Sequence, residues 1–229
     1  MIQQILFILL VSSFFWIYTN GAILNCDYSE HYNEKLNKHL YQCKGELLQL
    51  NENDTIIKSV TKPSNRQSSM SYVVELIIEN QNLIRFPSDA ENFFEELKFI
   101  TVKNASIKNI SNEILKAFPS LVELDLSINQ ISVIPKDLFI YNENLQFIYF
   151  AENRINFLSP ESFDGLKSLK VIDFMKNTGI NEIASTPDEI SYFKIKLLVK
   201  NLEKRQTETM EKMFIWLAKC EFKFGSSAH

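Results

Sequence analysis

Glycine and proline are scarce, with five and six in 229 residues. That scarcity excludes a collagen-like repeat or a disordered low-complexity chain. An excess of either charge is also missing, since 24 basic residues face 28 acidic ones. Such a balance gives no electrostatic grip on nucleic acid, and no Lys/Arg cluster with interleaved aromatics supplies one locally. The only histidines are His31, His39 and His229, so the long central stretch offers no Ser-His-Asp or Cys-His arrangement. A Gly-rich phosphate loop is absent. His31 and His39 lie near Cys26 and Cys43, but their spacing matches none of the usual structural zinc sites. These absences point away from an enzyme, and no cofactor, metal or nucleic-acid partner is expected. Long apolar runs are lacking too. The longest, Ile5 to Ile17, has 13 residues dominated by large apolar side chains, short of the roughly 20 that a membrane span needs.

That run, followed by Thr19-Asn20-Gly21-Ala22, reads as a secretory signal over residues 1–22, cleaved after Gly21 or Ala22. Met1 to Gln4 contains no Lys or Arg, and the alternative is a signal anchor that stays in the membrane. Secretion changes how the cysteines are read, because an oxidising compartment favours disulfides. Cys26 and Cys43 lie close together after the signal and are expected to pair. Cys220 is left over. Its alternatives are an intermolecular bridge, giving a disulfide-linked dimer, a buried thiol, or reshuffled pairing with one of the other two. Sequons at Asn53, Asn104 and Asn109 mark candidate glycosylation sites.

What the chain does have is a period. Val73, Leu97, Leu121, Leu145 and Leu169 are spaced 24 residues apart. Three residues after each come Leu76, Ile100, Leu124, Ile148 and Ile172. Two further on come Ile78, Val102, Leu126, Phe150 and Phe174. All of these positions are large and apolar. The period-2 step at the second and third positions marks a short strand with those side chains on one face. Looser spacing follows in each unit (Ile131, Ile134, Leu138, Phe139; Ile155, Leu158, Phe163, Leu166), which fits a turn of helix covering the strand. One such unit cannot bury its apolar side alone. Stacked units share a continuous core, and their strands form a parallel sheet.

The unit Leu121-Val-Glu-Leu124-Asp-Leu126-Ser-Ile-Asn129-Gln-Ile131 resembles the leucine-rich repeat, L-x-x-L-x-L-x-x-N-x-L. The next unit matches through Leu145, Ile148, Phe150, Asn153 and Ile155. Among families of this repeat, the chain resembles secreted, insect-type immune members. The resemblance implies an α/β solenoid: a short horseshoe with a parallel sheet on its concave face. Five units start at 73, 97, 121, 145 and 169 and fill residues 73–184. It also implies that the ninth-position asparagines, Asn129, Asn153 and Asn177, satisfy backbone groups between turns. Gln81 and Ala105 stand at that position in the first two units, which should be less regular.

Solenoids need caps at both ends. Residues 23–72 are expected to be the N-terminal cap. Within it, Glu46–Leu50 and Thr55–Val60 flank a polar turn and read as a hairpin, with the Cys26–Cys43 bridge as its staple. At the other end the fifth unit decays at Asn177-Thr-Gly179-Ile180. Gly179 stands where many extracellular members carry a cap cysteine, which leaves Cys220 without an obvious intrachain partner. Residues 185–229 are expected to form a helical C-terminal cap, starting at Thr186-Pro187-Asp188-Glu189 with Thr as N-cap and Glu completing a capping box. The polar stretch 203–208 is expected to separate two helices. A dimerising coiled coil, as in insect immune relatives, is the alternative, although no clean heptad runs through 203–209.

By the resemblance, the outward strand positions form the face where such proteins bind. These are Glu75, Phe99, Glu123, Phe147 and Val171 at the third position, and Asp125, Tyr149 and Asp173 at the fifth, with Ile77 and Thr101. Aromatics ringed by polar residues, if exposed, mark an interface. Five strands at about 4.8 Å give a sheet only about 24 Å wide, small against the about 800 Å² per partner of a specific protein interface. The expectation is a secreted binding module for an extracellular protein or glycan, in innate immunity or cell-surface signalling. The rival is a structural or carrier repeat protein with no selective patch.

Overall fold

A computed structural model describes residues 21–48, 56–61 and 70–225, with side chains through residue 215 apart from that of Ser71. Among the described residues nine strands follow one another: β1 (Ala22–Asn33), β2 (Lys38–Leu48), β3 (Ile57–Val60), β4 (Glu75–Glu79), β5 (Phe99–Lys103), β6 (Glu123–Asp125), β7 (Phe147–Tyr149), β8 (Val171–Asp173) and β9 (Ile183–Ala184). They form one sheet in the order β3-β1-β2-β4-β5-β6-β7-β8-β9. From β4 to β8 the pairing is parallel, and equivalent residues of successive units face each other: Leu76 with Ile100, Ile100 with Leu124, Leu124 with Ile148, and Ile148 with Ile172. The period read from the sequence is therefore the register of the sheet. The architecture is a leucine-rich-repeat solenoid.

Packing follows from the pattern. Residues at the first, fourth and sixth positions of the units make the core, with Leu121, Leu124, Leu126, Leu145, Ile148 and Phe150 all fully buried. The opposite wall is built from short turns, one-turn helix α1 (Asn112–Leu115) and a 3₁₀ segment at Pro160–Phe163. Phenylalanines spaced one unit apart stack across it: Phe139 on Phe163 and Phe150 on Phe174, with ring centroids 6.2 and 5.5 Å apart.

The backbone between units is closed by asparagines. Asn129 Oδ1 accepts from the N–H groups of Ala105 and Ile107, and its Nδ2 donates to the carbonyls of Val102, Leu126 and Ser127. Asn153 and Asn177 repeat the pattern one and two units on. A buried peptide group without such a partner costs free energy comparable to a lost hydrogen bond, so this position is structural. The irregularity expected earlier is real. Gln81 instead reaches back to the cap and accepts from Leu47 N at 3.1 Å, while Ala105 is simply buried. Asn142, which the repeat pattern does not single out, is fully buried and donates to the carbonyls of Leu115 and Phe118.

Each strand leaves the sheet through a left-handed residue at the eighth position: Asn80, Asn104, Ile128, Glu152 and Lys176, with φ between 50° and 58°. Asparagine tolerates this conformation. A β-branched residue such as Ile128 is an outlier there.

The N-terminal cap corrects one expectation. The hairpin is not 46–50 with 55–60. It is β1 with β2, antiparallel and eleven residue pairs long, turning at residues 34–37. β3 pairs with β1 in parallel, and the polar turn placed at 51–54 lies outside the described residues. The sequence signature of two apolar runs about a polar turn was met, but Ile57 is drawn under Ala22 by the core they share. Cys26 and Cys43 are bridged across the hairpin, Cα atoms 5.2 Å apart. Gly45 stands opposite Cys26, where an added Cβ would come within 2.5 Å of Leu24.

The C-terminal cap corrects another. Residues 203–208 do not separate two helices; α2 is continuous over Pro187–Gly225. Its polar middle consists of good helix formers, and polarity alone does not end a helix. The start is as expected. Thr186 Oγ1 accepts from Glu189 N, and the Glu189 carboxylate returns to Ser185 N at 2.8 Å. Ile190, Phe193 and Leu197 are buried on one stripe, and Phe193 stacks on Phe174. The first three turns therefore close the solenoid, while the apolar residues beyond are exposed. Gly179 is explained as well. A Cβ there would lie 2.0 Å from the Asn156 carbonyl oxygen, so no side chain, cysteine included, fits this turn.

Candidate functional site

The outward positions of β4 to β8 stand side by side as the repeat dictates, but the face is not open. β2 pairs with β4 only over Gln42–Gly45, with one further bond from Val74 N to Tyr41 O. Beyond that base the hairpin leaves the sheet and runs across its concave face. The five residue steps from Glu30 to Lys35 span up to about 17 Å, and three strand spacings cover about 14 Å, so the tip can reach from β4 to β7.

The tip brings side chains onto the face. Lys35 Nζ lies 2.8 Å from both carboxylate oxygens of Glu123. It also sits 5.0 Å from the Phe147 ring centroid and 4.7 Å from that of Tyr149. Lys170 approaches Phe147 at 5.8 Å. Behind Lys35, His31 Nδ1 is 3.3 Å from Glu75 Oε2. Neither atom has a hydrogen-bond partner among the described residues, so this contact is electrostatic proximity without hydrogen-bond alignment. The turn itself is tied by Asn33 Oδ1 accepting from Leu36 N, and by Tyr32 donating to Asn37.

The electrostatics follow from this cover. Burial raises the Glu75 pKa, reinforced by Glu123 and opposed by His31 and Lys35. Burial alone would lower the Lys35 pKa, but Glu123 and Tyr149 outweigh it and hold the ammonium above the ordinary lysine value. Tyr149 is raised, chiefly by burial. At the base of the hairpin, burial pushes Tyr28 up to about 12 while its hydroxyl donates to the Thr61 carbonyl.

The expected exposure of the face therefore fails at three positions. Phe99 and Phe147 are 2% and 6% exposed, and Glu75 is 9% exposed. The covering element is the N-terminal hairpin. Glu123, Phe147 and Tyr149 are gathered around one ammonium. Asp125 and Asp173 are partly committed to structure, each accepting from the backbone N–H two residues on, at Ser127 and Met175. Val171 is half-buried on β8 and joins no cluster. Lys35 and His31 were not legible as site residues, because nothing local to residues 30–38 says where the tip will land.

Of the other positions, Asn104 and Asn109 are both exposed, and Asn104 Nδ2 donates to Asn80 Oδ1 at 2.8 Å. Asn53 and residues 1–20 of the signal segment lie outside the described residues. Cys220 is on α2, its side chain outside those described. Among the described residues no group of three or more His, Cys, Asp or Glu is placed to hold a metal. No helix among them is long and apolar enough to cross a membrane.

The leucine rich repeat family model matches residues 119–178. No curated protein sequence matches the chain. Among solved structures, the functional domain of InlJ from Listeria monocytogenes is similar over 53% of this chain and 25% of its own, at 14% identity and a TM-score of 0.36. The TLR13–ssRNA13 complex is similar over 53% of this chain and 21% of the matched chain, at 23% identity and a TM-score of 0.41. This chain thus spans a quarter or less of the proteins it overlays, and at these scores neither overlay speaks to a ligand.

Proposed function

We propose that the chain is a secreted binding module rather than an enzyme, recognising an extracellular protein or glycan through the concave sheet and the hairpin tip that lies on it. The carrying observation is the cluster of Glu123, Phe147 and Tyr149, set side by side by a rigid parallel register on strands whose backbone is locked by buried asparagines. Rigid scaffolds that present a few converging polar and aromatic groups suit recognition. The hairpin adds area to a face that is small by itself. The resemblance suggests innate immunity or cell-surface signalling as the setting.

Secretion is supported by the apolar leader and by the formed Cys26–Cys43 bridge. Ala22 is fully buried, and its N–H donates to Ile56 O at 2.8 Å. Cleavage after Gly21 therefore preserves β1, and N-terminal sequencing of secreted protein should begin at Ala22. Domain limits of 23–72 and 185–229 for the caps remain our reading. Asn109 should carry glycan more fully than Asn104, whose amide is already engaged; glycopeptide mapping reads this directly.

The continuous α2 also supports a dimer. Ile195, Val199, Leu202, Gln206, Thr209 and Met213 follow steps of four and three, and Cys220 falls on the same seam by register position. A Cys220-linked dimer should run at twice monomer mass on non-reducing gels and collapse to monomer in Cys220→Ser.

Capture of partners from the native extracellular fluid, identified by mass spectrometry, tests the main reading. Tyr149→Ala and Glu123→Gln should each weaken capture at unchanged melting temperature. Undiminished capture by both variants would favour a scaffold without a selective patch.

A further inference from the structure

We propose that Glu123, Phe147 and Tyr149 form a receptor site for a lysine ammonium on a partner protein, and that Lys35 fills this site in cis as a latch. The inference rests on the concave-face reading above and names the chemistry of the ligand.

The site is known by its present occupant. A carboxylate meets the ammonium with both oxygens at 2.8 Å, and two ring faces stand within about 5 Å of it. Ring faces carry negative quadrupole and attract a cation, most strongly where water is partly excluded. The Glu123 side chain is 14% exposed, whereas that of Lys35 is 42% exposed. The receptor half is built into the sheet, while the occupying half arrives from outside. The raised Lys35 pKa agrees with a site that prefers the charged form.

The occupant is held in a way that lets it leave. The hairpin base is fixed by the disulfide, by four residue pairs with β4 and by the core beneath Leu24 and Leu47. Past Tyr41 no strand pairing joins the described hairpin to the repeat sheet. A cavity of about 240 Å³, lined in part by His39, Leu40, Tyr41, Val74 and Phe99, separates the two layers. The polar contacts that hold the tip on the sheet are the Lys35 cluster and the His31–Glu75 approach. A partner lysine offered in place of Lys35 makes the same contacts, and the tip must swing on its base, which uncovers part of Phe99 and Phe147. The site is charged, so it selects a cation over the neutral hydroxyls of a sugar.

The test uses the full secreted chain and an acetylated pentalysine peptide as the probe, with the fully side-chain-acetylated peptide as control. Binding is followed by the ring resonances of Phe147 and Tyr149. A tethered competitor lowers apparent affinity by the fraction of time it occupies the site. Lys35→Ala should therefore bind the probe about tenfold more tightly than wild type, with ring shifts at both residues. Adding Glu123→Gln should abolish that gain, and the side-chain-acetylated control should bind neither wild type nor Lys35→Ala. Equal affinity of wild type and Lys35→Ala, with the rings shifting in both, would overturn the latch and leave the concave-face reading standing. A gain that survives Glu123→Gln would overturn the site. If a native partner is captured undiminished by Tyr149→Ala and by Glu123→Gln, the concave-face reading itself fails.

Discussion

Replacing the ninth-position asparagines by alanine should not cost the same at every unit, and the difference can be worked from the hydrogen bonds. In Asn153→Ala the carbonyl of Leu126 keeps Asn129 as donor, that of Phe150 keeps Asn177, and that of Ala151 keeps Ile128 N. The orphan is one buried N–H, that of Ile131. In Asn129→Ala the carbonyls of Leu126 and Ser127 likewise keep Asn153 and Asn104 N, but two buried N–H groups, Ala105 and Ile107, lose their acceptor, and the buried Val102 carbonyl loses its Asn129 donor. A buried unpaired group costs about 1–3 kcal/mol. Taking about 2 for each, Asn153→Ala should lose about 2 kcal/mol and Asn129→Ala about 6. At about 2–4 °C per kcal/mol for a domain of this size, that is a fall of about 4–8 °C against about 12–24 °C. Calorimetry of both variants beside wild type measures it. Equal shifts, or a larger one for Asn153→Ala, would refute the reasoning, because they would mean that the count of orphaned groups does not set the cost.

Three further outcomes follow from burial, backbone and charge. Leu124→Asp places an unpaired carboxylate at the centre of the core and should cost several kcal/mol; a melting temperature within about two degrees of wild type would show the register to be wrong. Ile128→Asn relieves a β-branched residue at φ 57° and should gain about 0.5–1 kcal/mol, whereas Ile128→Val, equally branched, should gain nothing. Glu75→Gln should stabilise the protein at pH 7. The folded-state pKa of Glu75 is raised, so the stability it contributes is complete below its unfolded value and is lost as pH rises through the folded one. The advantage of the variant should therefore shrink towards zero as pH falls below about 4, and thermal melts at both pH values decide it; a pH-independent difference would contradict the assignment.

The repeats were legible because a buried position recurring every 24 residues leaves a trace that no neighbour can mask. Leu76, Ile100, Leu124, Ile148 and Ile172 had to be large and apolar whatever surrounded them. The helix start at Thr186 was legible for a similar reason, since capping is decided within four residues. The hairpin was not. β1 has one side over the concave sheet and the other towards solvent, and its sequence, with Asn25, Asp27, Ser29, Glu30 and His31, alternates too weakly to declare a strand. The Lys35 contact was hidden more deeply, because it depends on the length of an arm compared with the spacing of strands it crosses. The single run of α2 is hidden because a polar stretch resembles a break in an apolar pattern, although Glu203 to Glu208 contains neither glycine nor proline.

The asparagine ladder also has a direction. Asn129 fastens to Val102, Ala105 and Ile107, Asn153 to Leu126 and Ile131, and Asn177 to Phe150 and Ile155. Each reaches back to the unit before it. A chain is made from its N-terminus, so each of these later units leaves the ribosome carrying the group that completes the backbone already emerged. Gln81 in the first unit reaches back in the same way, accepting from the Leu47 N–H of the earlier-made β2; the second unit, with Ala105 at this position, is the exception. Assembly can then keep pace with synthesis, each turn waiting for no more than the next 24 residues before its peptide groups are closed.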